Sequence, residues 1–392
     1  MSTEEQAVPF GNYQYEIYLK GLGGETPALP IDYDDLEALA AERLSPEAFH
    51  YAAGGAGEGR SMTANRRAFD AWQILPRMLG DVSVRDLSTD ILGTRFPAPV
   101  MLGPVGVLSI LHEDAELAVA RAAARTGVPM CLSTAASSTM EDVAGELGDT
   151  PGWYQLYWPS DPELAESLVR RAGAAGYRAI VVTLDTRMMP WRPRDLNGAY
   201  LPFLRGEGIA NYLSDPVFRA RCDEPPEENM QAAIGQWAQV FPNPTLSWED
   251  LARLREWTDL PVLVKGVLHP DDARRAVEQG AQGVVVSNHG GRQIDGSATP
   301  LGQLPAVVDA VGDGTAVLLD GGVRTGSDVL KAVALGARAV LVARSYVWGL
   351  ALGGDAGVEA TLRNLLADTD LTLAMSGLSS IGQVDRDLLV AA

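Results

Sequence analysis

Gly280-Ala281-Gln282-Gly283-Val284-Val285-Val286 decides the fold. A glycine closes a helical segment, Asp271 to Gln279, and a β-branched run starts soon after, which is the αβ half of a βαβ unit. The phrase recurs as Gly176-Tyr177-Arg178-Ala179-Ile180-Val181-Val182 and as Gly336-Ala337-Arg338-Ala339-Val340-Leu341-Val342. Such recurrence marks a repeated supersecondary unit. Working outward, eight apolar strands are expected at 98–103, 128–133, 153–157, 179–184, 261–265, 283–287, 316–320 and 338–343. Their apolar runs lack alternation, as in parallel strands buried on both faces. Eight β–α units predict an α/β fold, a closed (β/α)8 TIM barrel over residues 97–392. An open doubly wound sheet is the alternative. The barrel is favoured because polar residues stand at the end of nearly every strand, whereas an open sheet gathers them at its switch point.

Two regions fall outside the repeat. Residues 1–96 form an N-terminal extension expected to pack on the barrel, with helical patches at Tyr33 to Arg43 and Glu47 to Ala53. Residues 187–246, rich in Pro, Trp and Tyr, form an insertion after strand four that suits a lid or an assembly surface.

With 51 acidic against 31 basic residues the net charge is −20, which argues against nucleic acid and anionic membranes as partners. Cys131 and Cys222 make no disulfide framework, and a cytoplasmic setting fits two free thiols. The start of the chain is polar and acidic, without a signal-peptide pattern, and the longest apolar stretch, Ala98 to Leu111, is too short to span a bilayer. No metal is expected, since no His/Cys ligand spacing occurs. His50, His112 and His269 lack motifs and read as structural or surface residues. The glycine-rich stretch Ala53 to Gly59 follows no strand and is not read as a dinucleotide loop.

Chemistry gathers at the strand ends. Strand six runs into Ser287-Asn288-His289-Gly290-Gly291-Arg292, a candidate base beside a cation, as proton abstraction from an anionic substrate requires. A glycine turn with an incidental histidine is the plainer alternative. Strand seven ends Asp320-Gly321-Gly322-Val323-Arg324 and strand eight ends Ala343-Arg344, where backbone N–H groups, a helix dipole and two arginines could hold a phosphate. Lys265 closes strand five and could form a Schiff base, place positive charge against an electron-rich ring, or make a structural ion pair. Ser133, Gln155, Tyr157, Thr183 and Asp185 stand at the ends of strands two to four, and Pro104-Val105-Gly106 follows strand one.

With these positions in view the chain resembles the FMN-dependent α-hydroxy-acid oxidising enzymes. Ser287 to Arg292 is that family's signature, and Tyr154 to Tyr157, Thr183 to Thr186, Leu263 to Gly266 and Leu319 to Arg324 match it in order. Tyr15 to Tyr18, Trp191 to Leu196 and Pro202 to Gly206 look most like the lactate 2-monooxygenase branch. The resemblance implies FMN as cofactor, a small L-2-hydroxy acid and O2 as reactants, and a homotetramer or homo-octamer. On that branch L-lactate and O2 become acetate, CO2 and water; the alternative is an oxidase releasing keto acid and H2O2. It also implies roles: His289 as base, Asp185 as its partner, and Tyr51, Tyr157, Arg192 and Arg292 around the substrate. Pro104, Val105, Gly106, Ser133, Gln155, Thr183, Lys265, Ser287, Asp320, Gly322, Arg324, Ala343 and Arg344 would bind FMN. Two positions depart from the common pattern. Ala343 replaces glycine, a methyl group expected to crowd the phosphate turn without abolishing backbone donation. Gly106 replaces the alanine of simple oxidases and is expected to leave space beside the flavin, favouring retention of the keto acid. Met188, Met189, Trp191 and Tyr200 either shape the pocket or serve as packing.

Overall fold

The computed structural model describes residues 8–392; the first seven residues of the extension, and the reading of the chain's start, lie outside them. Eight parallel strands close into a barrel: β1 (Val100–Leu102), β2 (Met130–Ser133), β3 (Gly152–Leu156), β4 (Ile180–Thr183), β5 (Val262–Val267), β6 (Gly283–Val286), β7 (Ala316–Asp320) and β8 (Ala339–Val342). Val340 to Val342 of β8 pair in register with Val100 to Leu102 of β1, which closes the ring and excludes the open sheet.

The absence of alternation has its reason in two apolar layers. Met101, Cys131, Trp153, Val181, Leu263, Val285, Leu318 and Leu341 point inward and fill the barrel. Their neighbours along each strand, such as Leu102, Leu132, Val182 and Val264, face the surrounding helices. A hairpin ahead of the barrel, Thr89–Ile91 against Thr94–Phe96, plugs the end where the strands begin. Ile91 and Phe96 join the inner cluster, Phe96 meets the Trp153 ring edge-on at 5.7 Å, and the Trp153 indole N–H donates to Thr94 Oγ1 at 3.3 Å. With that mouth sealed, the polar groups at the opposite mouth surround one site.

The helices of the extension include Tyr33–Arg43 and Pro46–Ala53, as the sequence leads one to expect, and also Arg60–Arg67. Ser45 caps the second of these and Pro46 opens it, where a missing N–H costs nothing. The strand Trp72–Ile74 pairs with Leu389–Ala391, tying the extension to the other end of the chain. The insertion is folded, with helices Pro193–Asn197, Ala210–Leu213, Pro216–Arg221 and Met230–Val240. Its anchor is Asp215, fully buried, which accepts from the Val217 and Phe218 amides, Ser167 Oγ and Arg171 Nη1. Among the described residues no helix is long and apolar enough to cross a membrane.

A second buried carboxylate fastens the extension. Asp370, on the C-terminal helix Arg344–Met375, accepts from the Gly11 amide at 2.7 Å and from Arg85 Nε and Nη2 at 2.6 and 2.8 Å. Replacing Asp370 by Ala leaves the Arg85 cation largely buried without its partner, a loss of about 3–5 kcal/mol. Urea unfolding is expected to show a clearly lowered midpoint for D370A and a smaller drop for D370N.

Candidate active site

The mouth of the barrel opens into a cavity of about 480 Å³. His289 lies on its wall, in the loop after β6. The backbone there is left-handed over three residues, His289 at φ +58°, Gly290 at +61° and Gly291 at +77°. Only glycine adopts such angles freely, so His289 carries strain of about 1–3 kcal/mol that its surroundings must over-determine. Ser287 Oγ accepts the His289 N–H at 2.9 Å, and Asn288 Oδ1 accepts the Gly291 N–H at 3.0 Å.

The result is a directed imidazole. Nδ1 lies 2.8 Å from Asp185 Oδ1, and Nε2 faces the Tyr157 hydroxyl at 3.4 Å. Nδ1 therefore carries the proton toward the carboxylate, and Nε2 is left as an acceptor in the cavity. Asp185 reaches this position because β5 bulges at Gly266: a Cβ there would lie 2.5 Å from the Asp185 Cγ. Thr186 Oγ1 donates to Asp185 Oδ1, and Gln293 Nε2 bonds the Asp185 carbonyl and Thr186 Oγ1. Burial presses the His289 pKa below its ordinary value, helped by Lys265 and opposed by Asp185. Burial works to raise Asp185, but His289, Lys265 and Thr186 outweigh it and hold the carboxyl below the usual range. At neutral pH the pair is a neutral imidazole on a carboxylate. Burial pushes Tyr157 up to about 12, so it remains a phenol.

Arg292 stands on the same wall. Its Nη1 donates to the Tyr51 and Gly54 carbonyls at 2.7 and 2.6 Å, and its guanidinium lies 5.3 Å from the Tyr51 ring centre. Among the described residues it has no carboxylate within ion-pair distance. Burial, then Arg192 and Arg344, pull its pKa down to about 9, and it remains charged at pH 7. Arg192, also on the cavity, holds the Arg292 carbonyl and Gln293 and lies 3.7 Å from Asp195. A buried cation of this kind calls for an anionic ligand.

Lys265 Nζ sits at the floor, 2.9 Å from Asp320 Oδ2 and 3.0 Å from Ser287 Oγ. Burial opposes its charge, but Asp320 and Asp185 more than compensate and raise its pKa above that of an ordinary lysine. A Schiff base needs a neutral amine, so that reading falls; Lys265 is an ion-paired ammonium facing the cavity. Ser133, Gln155, Thr183 and Ser287 are buried at the strand ends and do not themselves line the cavity; Ser133 Oγ donates to Gln155 Oε1 at 2.9 Å. Gln155 Nε2 and Asp320 Oδ1 are buried without a partner among the described residues. Such groups imply a ligand that both accepts and donates.

At the other end of the cavity the anion site differs from the sequence expectation. The helix after β7, Gly326–Ala334, is capped from within: Asp328 accepts from the Arg324 and Thr325 amides, and Asp368 from Gly326. Its N-terminus is thus not free for a phosphate. The Arg324 side chain stacks 3.7 Å over the Tyr33 ring and pairs with Asp34 at 2.8 Å. The helix after β8, starting at Arg344, has no side-chain cap, and Ala343, Arg344 and Ser345 line the cavity. Gly322 also lines it. Ala343 stands at φ −131° and ψ −81°, so its position in the turn does not call for the left-handed region that favours glycine.

Gly106 calls for a correction. A Cβ built on it would lie 2.6 Å from the Ala135 carbonyl oxygen and 2.8 Å from the Ala135 Cβ. The glycine lets the β1 and β2 loops pack closely; the space it leaves is filled by Ala135. Pro104, Val105 and Gly106 themselves line the cavity. Of the insertion residues in doubt, Met189 reaches the cavity, while Met188 and Trp191 are largely exposed and Tyr200 packs beneath Arg205. Phe203 and Phe241 line it unannounced by the sequence, as do Tyr33, Met62 and Asn65 of the extension. The glycine-rich stretch straps the site, with Ala56 N–H on the Gly291 carbonyl and Gly57 N–H on that of Trp191.

A barrel mouth with an uncapped helix at one end, a buried ammonium at its floor and a carboxylate-backed histidine at the other end suits a phosphorylated redox cofactor beside an anionic substrate. A model of the FMN-dependent dehydrogenase family matches residues 40–391, and the chain belongs to that family. It is 42% identical over 386 residues to an FMN-dependent alpha-hydroxy acid dehydrogenase of Penicillium citrinum, covering 97% of this chain and 96% of the relative. It is 40% identical to an L-lactate oxidase of Lysinibacillus sphaericus, covering 93% and 94%. The crystal structure of mandelate oxidase with (S)-4-hydroxymandelic acid superposes with a TM-score of 0.82 at 40% identity, covering 93% of this chain and 99% of that one. The protein is an FMN-dependent oxidoreductase, and the orphaned Gln155 and Asp320 atoms, the Lys265 ammonium and the uncapped helix fit that cofactor.

The Asp185–His289 bond sets a pH test. In the free enzyme the acid limb of kcat/KM for flavin reduction is expected below ~6.5, the ordinary imidazole value. Asp185→Asn removes the charge that raises His289, so the limb moves to lower pH, and the plateau falls by ~10²–10⁴-fold as stabilisation of the imidazolium is lost. Stopped-flow reduction across pH checks both.

Proposed function

We propose that this enzyme oxidises a small L-2-hydroxy acid, L-lactate before others, and retains the keto acid until O2 has reacted, so that acetate, CO2 and water leave the site. The observation that carries the oxidation is His289 Nε2, free of Asp185 and turned toward the Tyr157 hydroxyl, in one cavity with the anion-seeking Arg292.

Arg292 and Arg192 hold the substrate carboxylate, Arg292 from a guanidinium already oriented by the Tyr51 and Gly54 carbonyls. Tyr157 donates to the substrate oxygen. His289 Nε2 takes the hydroxyl proton, and Asp185 stabilises the imidazolium that forms. FMN, when bound, would supply a two-electron acceptor that O2 can reoxidise. Gln155, Thr183, Ser133, Ser287 and Asp320 would hold its ring and ribityl chain, Lys265 would set positive charge against the ring, and Gly322, Arg324, Ala343 and Arg344 would hold its phosphate. Arg324 would do so by leaving Asp34.

Retention is credited to the roof of the cavity rather than to Gly106. Phe203 and Phe241 line the cavity and are backed by Trp237, which stacks on Phe203 at 4.8 Å and lies tilted against Phe241 at 4.9 Å; Phe241 stands edge-on to Tyr157 at 5.5 Å. This fixed aromatic wall favours a short aliphatic substrate. The keto acid held beneath it meets the hydrogen peroxide formed from O2: pyruvate and H2O2 give acetate, CO2 and water.

With L-lactate under air, one acetate and one CO2 per O2 consumed are expected, with little free peroxide. Stoichiometric pyruvate and H2O2 would show the plain oxidase outcome instead. Phe241→Ala should raise kcat/KM for (S)-mandelate relative to L-lactate by at least ~10-fold, the scale on which apolar pocket contacts discriminate.

A further inference from the structure

The oxidation leaves one buried polar pair unused. Asn65, on the helix Arg60–Arg67 of the extension, is 2% exposed and faces Asn288 of the His289 loop, 5% exposed. The two amides bond reciprocally: Asn65 Nδ2 donates to Asn288 Oδ1 at 2.7 Å, and Asn288 Nδ2 donates to Asn65 Oδ1 at 2.8 Å. The orientation of Asn288 is fixed independently, because its Oδ1 also accepts the Gly291 N–H and its Nδ2 also donates to the Ala298 carbonyl. Neither amide can turn over without losing two bonds, so the pairing has one sense.

The position matters more than the burial. Asn288 precedes His289, and its Oδ1 is what folds Gly291 back over the left-handed turn. Asn65 also abuts the turn after β7: a Cβ on Gly322 would lie 2.6 Å from the Asn65 carbonyl oxygen, and one on Gly321 3.1 Å from Asn65 Nδ2. One residue outside the barrel thus packs against the loop of the base and against the glycine turn of the phosphate end.

We infer that Asn65 is a positioning residue for the oxidation: by clamping Asn288 it holds His289 in its strained conformation and its Nε2 on the reacting hydroxyl. Loss of the clamp lets the loop relax. Misplacement of a reacting group by about 1 Å costs on the order of 10²-fold in rate. The inference rests on His289 being the base.

Asn65→Asp tests it, because the reciprocal pair needs one donor and one acceptor. An ionised carboxylate has no donor for Asn288 Oδ1, whereas a neutral carboxyl supplies an O–H and a C=O in the places of the amide. Burial beside an amide oxygen favours the neutral form as pH falls. The charged groups on the elements packed here are Arg66 with its partner Asp328, Asp295 on the Ser61 amide, the Lys265–Asp320 pair before the glycine turn and His289 with Asp185 after Asn288, and both proteins share them.

Flavin reduction is measured anaerobically on holoenzyme, per bound flavin, with whichever of glycolate, L-lactate, L-2-hydroxybutyrate and (S)-mandelate bleaches the wild type fastest. At pH 8, N65D should run ~10²-fold below wild type, and the variant-to-wild-type ratio should recover at least ~10-fold by pH 5. Asn65→Ala should be slow throughout without recovery; if it does not fold, Asn65→Ser replaces it as the non-titrating comparison. Wild-type rates in both variants, or an N65D deficit equal at pH 5 and pH 8, would overturn the inference. His289→Gln separates the two readings: if it bleaches at wild-type speed the base assignment falls, and if it is dead while the Asn65 variants are fast, only the role of Asn65 falls.

Discussion

The hydrogen bond from His289 Nδ1 to Asp185 is the interaction on which the site turns. It fixes which imidazole nitrogen is basic and directs that nitrogen into the cavity. Its cost is spread over distant parts of the chain. A histidine at φ +58° needs Ser287, Asn288 and two left-handed glycines to stay there. A carboxylate beside it needs the bulge at Gly266 to make room. The barrel supplies both, because parallel strands in register deliver the ends of β4, β5 and β6 side by side.

Charge organises the rest. Lys265 is neutralised by Asp320 at the floor, whereas Arg292 and Arg344 are held by backbone carbonyls, the Tyr51 ring and Met62 Sδ, and by no carboxylate among the described residues. Carbonyls orient a guanidinium but do not cancel its charge, so each of these arginines is poised for an anion. The two stand side by side on a single cavity, sharing the Ala52 and Gly54 carbonyls. That arrangement is why an enzyme with a net charge of −20 still presents a local cationic site to an acid.

Much of this was legible in the chain. The repeated glycine-then-valine phrase gave the strands within a few residues, and polar residues at their ends marked the mouth. The signature Ser287 to Arg292 marked a histidine and an arginine that the structure brings to one cavity. Other features left no trace. Asn65 sits in a polar helix with no motif, and its importance comes from Asn288, more than two hundred residues away. Phe203 and Phe241 look like any aromatic in a long insertion. The capped helix after β7 and the bare one after β8 both begin next to an arginine, and only the Asp328 and Asp368 contacts tell them apart.

The sequence by itself determined what repeats and what is chemically rare: eight apolar strands, one motif-bearing histidine, a lysine ending a buried strand. Local propensity and hydrophobic periodicity are short-range, and they suffice for that. Only the tertiary structure decided which imidazole nitrogen faces the cavity, which helix N-terminus is left uncapped and what Gly106 packs against, because each depends on a neighbour brought close by closure of the barrel. Seen from one strand end alone the space beside Gly106 is open; Ala135, delivered by the next strand, fills it.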